Sequence, residues 1–242
     1  MPDHGVLGLL GGTFDPIHRA HLALAVAAFE SGALGRLRFI PAGRPPHRPP
    51  PVAGGAHRLA MVRLAMADLP SAFAVRCEVD PAEVDSDVPS YTVTTLERLR
   101  RDLGPTRPLA LILGADAFAG LPTWHRWTEL TDFAHLLVTG RPGHDLAEDA
   151  WPATLQAHAK SRLRADPATL ADSPAGLIAT FPMPPVDLSA TQIRALLAAT
   201  AAGGEKDEAA ATLLPADVVR YIRLHHLYAQ PDGHTGTAED RH

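Results

Sequence analysis

The residues equipped for chemistry gather near the start of the chain. Leu7-Gly8-Leu9-Leu10-Gly11-Gly12-Thr13-Phe14-Asp15-Pro16-Ile17-His18-Arg19-Ala20-His21 runs from an apolar stretch, through two glycines, to two histidines three apart. A buried strand, a tight Gly-Gly turn and a helix N-terminus would together cradle an anion. Free backbone N–H groups and the positive end of the helix dipole both point at it. Gly11 and Gly12 would let a ligand approach the backbone and would take up positive φ. With a helix starting near His18, His18 and His21 share one face and reach a single phosphate group, to which Thr13 could add a hydroxyl. Zinc is the poorer reading of the pair, because neither the Glu of a His-Glu-x-x-His arrangement nor a Cys partner is nearby.

Other segments carry groups of the same chemical kind. In Ser189-Ala190-Thr191-Gln192-Ile193-Arg194, Ser189 caps a helix and Arg194 follows one turn later, which is a second anion site. The proline-stiffened loop 41–51 holds Arg44, His47 and Arg48, and Arg141 follows an apolar run. Ser90 would cap a helix and leave the N–H groups at Tyr91 and Thr92 open. Asp116, past a strand end after Gly114, suits a ribose or a base, and Trp124 offers a flat face for an aromatic ring. Each has a plainer alternative: a Pro-rich linker, a solvated arginine, a capped helix, a core tryptophan. Arg58 divides evenly between ligand contact and solvated helix residue. Cys77 and Trp127 read as core, and the acidic stretch 83–89 as a solvated turn.

The elements that must position these groups alternate. Strands are expected at 6–10, 37–40, 73–79, 109–113, 133–139 and 177–181. Helices are expected at 22–29, 57–69, 93–103, within 151–164, from 190 to 200, and from 213 to 225. This order predicts an α/β fold, a doubly wound and mostly parallel sheet with right-handed crossovers and a small C-terminal helical portion. Ligands in such sheets lie beyond the carboxyl ends of the strands, where the strand order reverses. We expect one domain over 1–228, with the helical portion at about 186–228, a loop at 203–208 and a disordered tail at 229–242. Segment 144–174 carries little motif content.

Composition narrows the class. The 242 residues suffice for one α/β domain with a sizeable core. A formal net charge of −5 argues against a broad basic surface for nucleic acid. Cys77 is the single cysteine, which excludes an intrachain disulfide and fits a reducing cytoplasm. The polar start, Met1 to His4, lacks a signal-peptide pattern, and no apolar run is long enough to span a bilayer. The expected location is therefore cytoplasmic.

The stretch Gly11 to His21 resembles the signature of the nucleotidylyltransferase superfamily, which shares a His-x-Gly-His element with class I aminoacyl-tRNA synthetases. Ala20 stands where that element usually has Gly, a change tolerable in a helical first turn. The Pro45-Pro46-His47-Arg48 loop, Ser90-Tyr91-Thr92, Gly114-x-Asp116 with Trp124, Arg141-Pro142-Gly143, and Ser189-x-Thr191-x-Ile193-Arg194 are similar to segments of nicotinate-nucleotide adenylyltransferases. The resemblance covers about residues 7–228. It implies a Rossmann-like fold and direct in-line transfer of AMP from ATP to nicotinate mononucleotide, giving deamido-NAD and pyrophosphate in NAD biosynthesis. By the same resemblance His18, His21 and Arg194 are catalytic. ATP would meet Gly11, Gly12, Thr13, Phe14, His18, His21, Gly114, Asp116, Ser189, Thr191 and Arg194. The mononucleotide would meet Arg48, Tyr91, Thr92, Trp124 and Arg141, and Mg2+ would bridge the ATP phosphates. Neither nucleic acid nor membrane is implied as a partner. Rival readings are a phosphopantetheine adenylyltransferase, a nicotinamide-preferring enzyme, and a nucleotide-binding regulator without turnover, at which only Ala20 hints.

Overall fold

The computed structural model describes residues 5–46, 49–140, 151–184, 186, 188–199 and 205–229. Among the described residues the strands are β1 (Val6–Gly12), β2 (Leu34–Pro41), β3 (Cys77–Val79), β4 (Leu109–Leu113), β5 (His135–Gly140), β6 (Leu163–Arg164) and β7 (Ile178–Pro182). They form one parallel sheet in the order β3-β2-β1-β4-β5-β7-β6. The chain winds outward from β1 to β3, returns, and winds the other way from β4, so the order reverses between β1 and β4. Parallel strands need crossovers, and these supply a helical layer on each face.

Alternation along β1 sends successive side chains to opposite layers. Val6 and Leu10 join one core with Phe14, Phe39 and Phe181, covered by α1 (Arg19–Glu30), α2 (Gly55–Ala65), α8 (Ala190–Ala198) and α10 (Ala216–Leu224). Leu7 and Leu9 join the other with Val93, Leu96 and Leu99 of α4 (Thr92–Leu103), Phe118 of α5 (Ala115–Ala119) and Leu155 of α7 (Ala153–Ala159). Each such buried side chain contributes about 1.5–3 kcal/mol over leaving it exposed. No helix among the described residues is long and apolar enough to cross a membrane.

Several expectations are corrected. Gly11 and Gly12 do not form a turn: they end β1, paired with Ile40 and Pro41, and neither has positive φ. The turn comes two residues later, where Phe14 itself takes φ 49°. Residues 71–74 form the short helix α3 (Ser71–Ala74) rather than the start of a strand, because Pro70 precedes a local turn that Phe73 N–H closes on the Pro70 carbonyl. Within 151–164 the helix stops at Ala159 and a strand, β6, adds to the sheet edge. The expected loop 203–208 is largely helix, α9 (Glu205–Leu213). α6 (Leu130–Phe133) is a single turn before β5. The tail expected from 229 lies outside the described residues beyond Ala229.

Candidate active site

The β1/β4 reversal opens a cavity of about 350 Å3 at the carboxyl ends of the strands. Its floor is Leu9 and Leu111 to Leu113; Gly11, Gly12 and Thr13 form one rim; Tyr91, Thr92, Trp124 and His125 form the other. A Cβ on Gly11 would meet nothing within 4 Å, whereas one on Gly12 would stand 2.8 Å from the Phe14 ring. Gly11 thus leaves space open and Gly12 lets a buried aromatic pack. Phe14 is 1% exposed, with its ring edge-on to His21 (centroids 5.0 Å), so its side chain serves the core.

His18 occupies the N-cap of α1 and His21 the third helical position. Their rings stack with centroids 3.7 Å apart, and His21 Nδ1 accepts the His18 backbone N–H at 3.3 Å. Burial lowers the His18 pKa to about 4 and holds His21 well below the usual histidine range, with the neighbouring His18 adding to the second effect. Both imidazoles are therefore neutral at pH 7. His18 Nδ1 is buried and makes no hydrogen bond within the protein. Ala20, at the second helical position, takes a conformation that needs no glycine.

Ser189 caps α8 as expected: its Oγ accepts the Gln192 N–H at 3.2 Å, and Gln192 Oε1 accepts the Ser189 N–H at 2.8 Å, a reciprocal capping box. Arg194, one turn on, donates from Nη2 to Thr191 Oγ1 at 3.2 Å and from Nη1 to the Asp15 carbonyl at 2.8 Å. That second bond ties α8 to the histidine loop. Asp116 lies exposed in the first turn of α5, beyond Gly114 at the end of β4, and neither lines the cavity. Arg48 and Arg141 lie outside the described residues.

Two expectations about the second rim change. Tyr91, not Ser90, is the N-cap of α4. Ser90 Oγ instead accepts from Gly43 N (3.2 Å) and Arg44 N (3.3 Å), and Ser90 N–H donates to the Arg44 carbonyl at 3.0 Å. The Pro-rich loop and the acidic stretch are thereby laced together. Nor is the acidic stretch all solvated: Glu83 lines the cavity, accepts the Thr95 hydroxyl at 2.6 Å, and has its pKa raised by burial. A serine that bonds across a gap of more than forty residues leaves no local trace that separates it from a cap.

Arg58 is not a solvated helix residue. It is 2% exposed and donates to the carbonyls of Ala53 (3.1 Å), Thr13 (2.6 Å) and Gly43 (3.3 Å). Asp15 was passed over within the signature, yet it is 4% exposed and holds the exit of the Pro-rich loop through Val52 N (2.8 Å) and Ala53 N (3.0 Å). Tyr228 is no site candidate on sequence alone; its hydroxyl reaches Asp15 Oδ1 at 2.7 Å across 213 residues, a separation that no local pattern encodes.

A glycine-edged strand, a histidine-led helix and a capped second helix, arranged at the reversal of a parallel sheet, define a nucleotidyltransferase class of site. Residues 9–196 match the model of the cytidylyltransferase-like family. A probable nicotinate-nucleotide adenylyltransferase of Dechloromonas aromatica is 50% identical over 222 residues, covering 92% of this chain and 97% of that protein. One of Pseudomonas aeruginosa is 44% identical over 225 residues, covering 93% and 98%. The chain belongs to the nicotinate-nucleotide adenylyltransferases within the cytidylyltransferase-like family. The fold is also that of the Plasmodium falciparum nicotinic acid mononucleotide adenylyltransferase complexed with NaAD, at a TM-score of 0.66 and 14% identity over 93% of this chain and 98% of that one.

Proposed function

We infer that this chain transfers the AMP group of ATP to nicotinate mononucleotide, giving deamido-NAD and pyrophosphate in NAD biosynthesis. The observation that carries this reading is the cavity at the strand reversal, with a side-chain-free glycine rim facing a wall of Tyr91, Thr92 and Trp124. A phosphate needs the first and a flat pyridine ring the second. The 50% identity to a probable nicotinate-nucleotide adenylyltransferase supports the same substrates.

The nucleophile is an oxygen of the mononucleotide phosphate, already ionised at neutral pH. It forms a bond to the α-phosphorus of ATP as the bond to the pyrophosphate oxygen breaks on the opposite side, so the protein supplies no base and no covalent partner. What remains is positioning and charge stabilisation. His18 and His21, both neutral, donate N–H bonds to phosphate oxygens; His21 Nδ1 accepts the His18 backbone N–H, which leaves its ring proton on Nε2 for that purpose. Thr13 adds its hydroxyl. Ser189, Thr191 and Arg194 hold the β- and γ-phosphates at the head of α8. Gly114 and Asp116 meet the adenosine side. Thr92 and the free N–H groups of the first turn of α4 receive the pyridine carboxylate, while Arg48 and Arg141 hold the mononucleotide phosphate. Mg2+ enters on the ATP phosphates as part of the substrate; among the described residues no group of three or more His, Cys, Asp or Glu stands ready to hold a metal. We place the activity in the cytoplasm and in one domain spanning 1–228.

The test is pyrophosphate release from ATP with nicotinate or nicotinamide mononucleotide as acceptor. Preferential turnover of the nicotinate form is the expected result. Preference for the amide, or turnover with neither, would overturn the reading.

A further inference from the structure

Asp15 is the meeting point of three remote segments. Oδ1 accepts from Ala53 N and from the Tyr228 hydroxyl, while Oδ2 accepts from Val52 N and lies 3.8 Å from Arg194 Nη1. The same Nη1 donates to the Asp15 carbonyl oxygen at 2.8 Å. Tyr228 is 8% exposed, and burial followed by the Asp15 carboxylate pushes its pKa upward, so the phenol stays protonated and donates. The guanidinium of Arg194 is thus held close to the carboxylate but anchored on the backbone, with Nη2 on Thr191.

We propose that Tyr228 is a positioning residue for the transfer reaction: by occupying Asp15 Oδ1 beside the Ala53 N–H it holds the carboxylate in a loose ion pair, 3.8 Å from Arg194 Nη1, and keeps it from closing on the guanidinium that the leaving pyrophosphate needs. The inference rests on the role given to Arg194 above. Its physical basis is competition. The terminal carboxylate torsion is broad and soft. Without the phenol, Oδ1 keeps only the Ala53 N–H, and Arg194 Nη1, 3.8 Å from Oδ2, is a cationic donor within reach of a small shift of the carboxylate. A carboxylate that rotates toward it forms a two-pronged ion pair, the strongest arrangement open to the two side chains. Such a pair removes Arg194 from the triphosphate without disturbing the cavity that takes the mononucleotide.

The experiment uses the full chain and four proteins: wild type, Tyr228→Phe, Arg194→Ala, and the double variant. Rates are measured against each substrate, and ATP binding is measured separately by calorimetry. Tyr228→Phe should raise the KM and Kd for ATP about five- to tenfold while the KM for nicotinate mononucleotide changes less than about twofold. In the Arg194→Ala background the same substitution should have almost no further effect, because the group it acts through is gone. Equal losses in both backgrounds would overturn the proposal, as would a fall in thermal stability with unchanged ATP affinity. If Tyr228→Phe does not fold, Tyr228→Met serves, since a flexible side chain fills the buried space without donating a hydrogen bond: it should give the same selective loss for ATP, and an unchanged ATP affinity counts against the proposal. ATP binding reads the coupling without turnover, so failure of the activity assignment and failure of this inference give different results.

Discussion

His18 and His21 stack face to face at 3.7 Å, and burial keeps both neutral. Two charged imidazoles at that distance would repel. Two neutral ones offer N–H donors to a phosphate at little cost, and the dipole of α1 supplies the positive field. This pair therefore works as a set of oriented hydrogen bonds rather than as charge.

A pH dependence of stability follows. Burial lowers the His18 pKa from 6.5 to about 4, so between these values the unfolded chain binds a proton that the folded chain refuses. Stability is complete above about pH 6.5 and falls as pH drops towards 4. The gap is worth roughly 3 kcal/mol for His18 alone. Denaturant midpoints at pH 7 and pH 5 check this. A His18→Gln variant should show a flatter slope; equal slopes would mean that His18 is not the group responsible.

Substituting His21 separates chemistry from folding. His21→Ala should lower kcat about 100- to 1000-fold, the loss seen when a preorganised donor to a transition state is removed. The accompanying loss of a helix-cap bond costs only about 1 kcal/mol. Turnover within tenfold of wild type would contradict the role given to this residue.

The two glycines of the signature should respond in opposite ways. Gly12→Ala puts a methyl 2.8 Å from the buried Phe14 ring and should destabilise the protein by about 1–3 kcal/mol. Gly11→Ala meets no protein atom within 4 Å and should leave the melting temperature unchanged while raising the KM for ATP. Thermal melts and initial rates on the two variants distinguish packing from ligand approach.

Gly43 tests the lacing of the second rim. A Cβ there would lie 1.9 Å from the Glu83 carbonyl oxygen, and backbone cannot step aside cheaply. Gly43→Ala should part the Pro-rich loop from the acidic stretch, raise the KM for nicotinate mononucleotide more than that for ATP, and lose about 2 kcal/mol of stability. A selective effect on ATP would show that this wall faces the other substrate.

What could be read from the chain was what is local. The apolar run at 109–113 gave β4 to the residue, and Ser189 announced the α8 cap, because strand burial and helix capping depend on neighbours in sequence. Gly11 and Gly12 misled, since their types are shared by turns and by strand ends that must stay bare. Ser90 was read as a cap because a serine before a helix usually is one; its hydroxyl is spent on Gly43 and Arg44 instead. Arg58 and Asp15 were illegible for the same reason. An arginine that gathers three carbonyls from three segments has no periodicity, only a place in the finished fold.

The bond between Tyr228 and Asp15 also bears on how the protein is made. Synthesis proceeds from the N-terminus at about 5–20 residues per second. A nascent chain that has cleared the ribosome through α9 contains the residues of every strand and both histidines, but Asp15 still lacks its phenol. The loop around Asp15 therefore waits for a side chain 213 residues further along the chain. Any polypeptide cut short before that tyrosine would carry the full signature and still lack one of its ties.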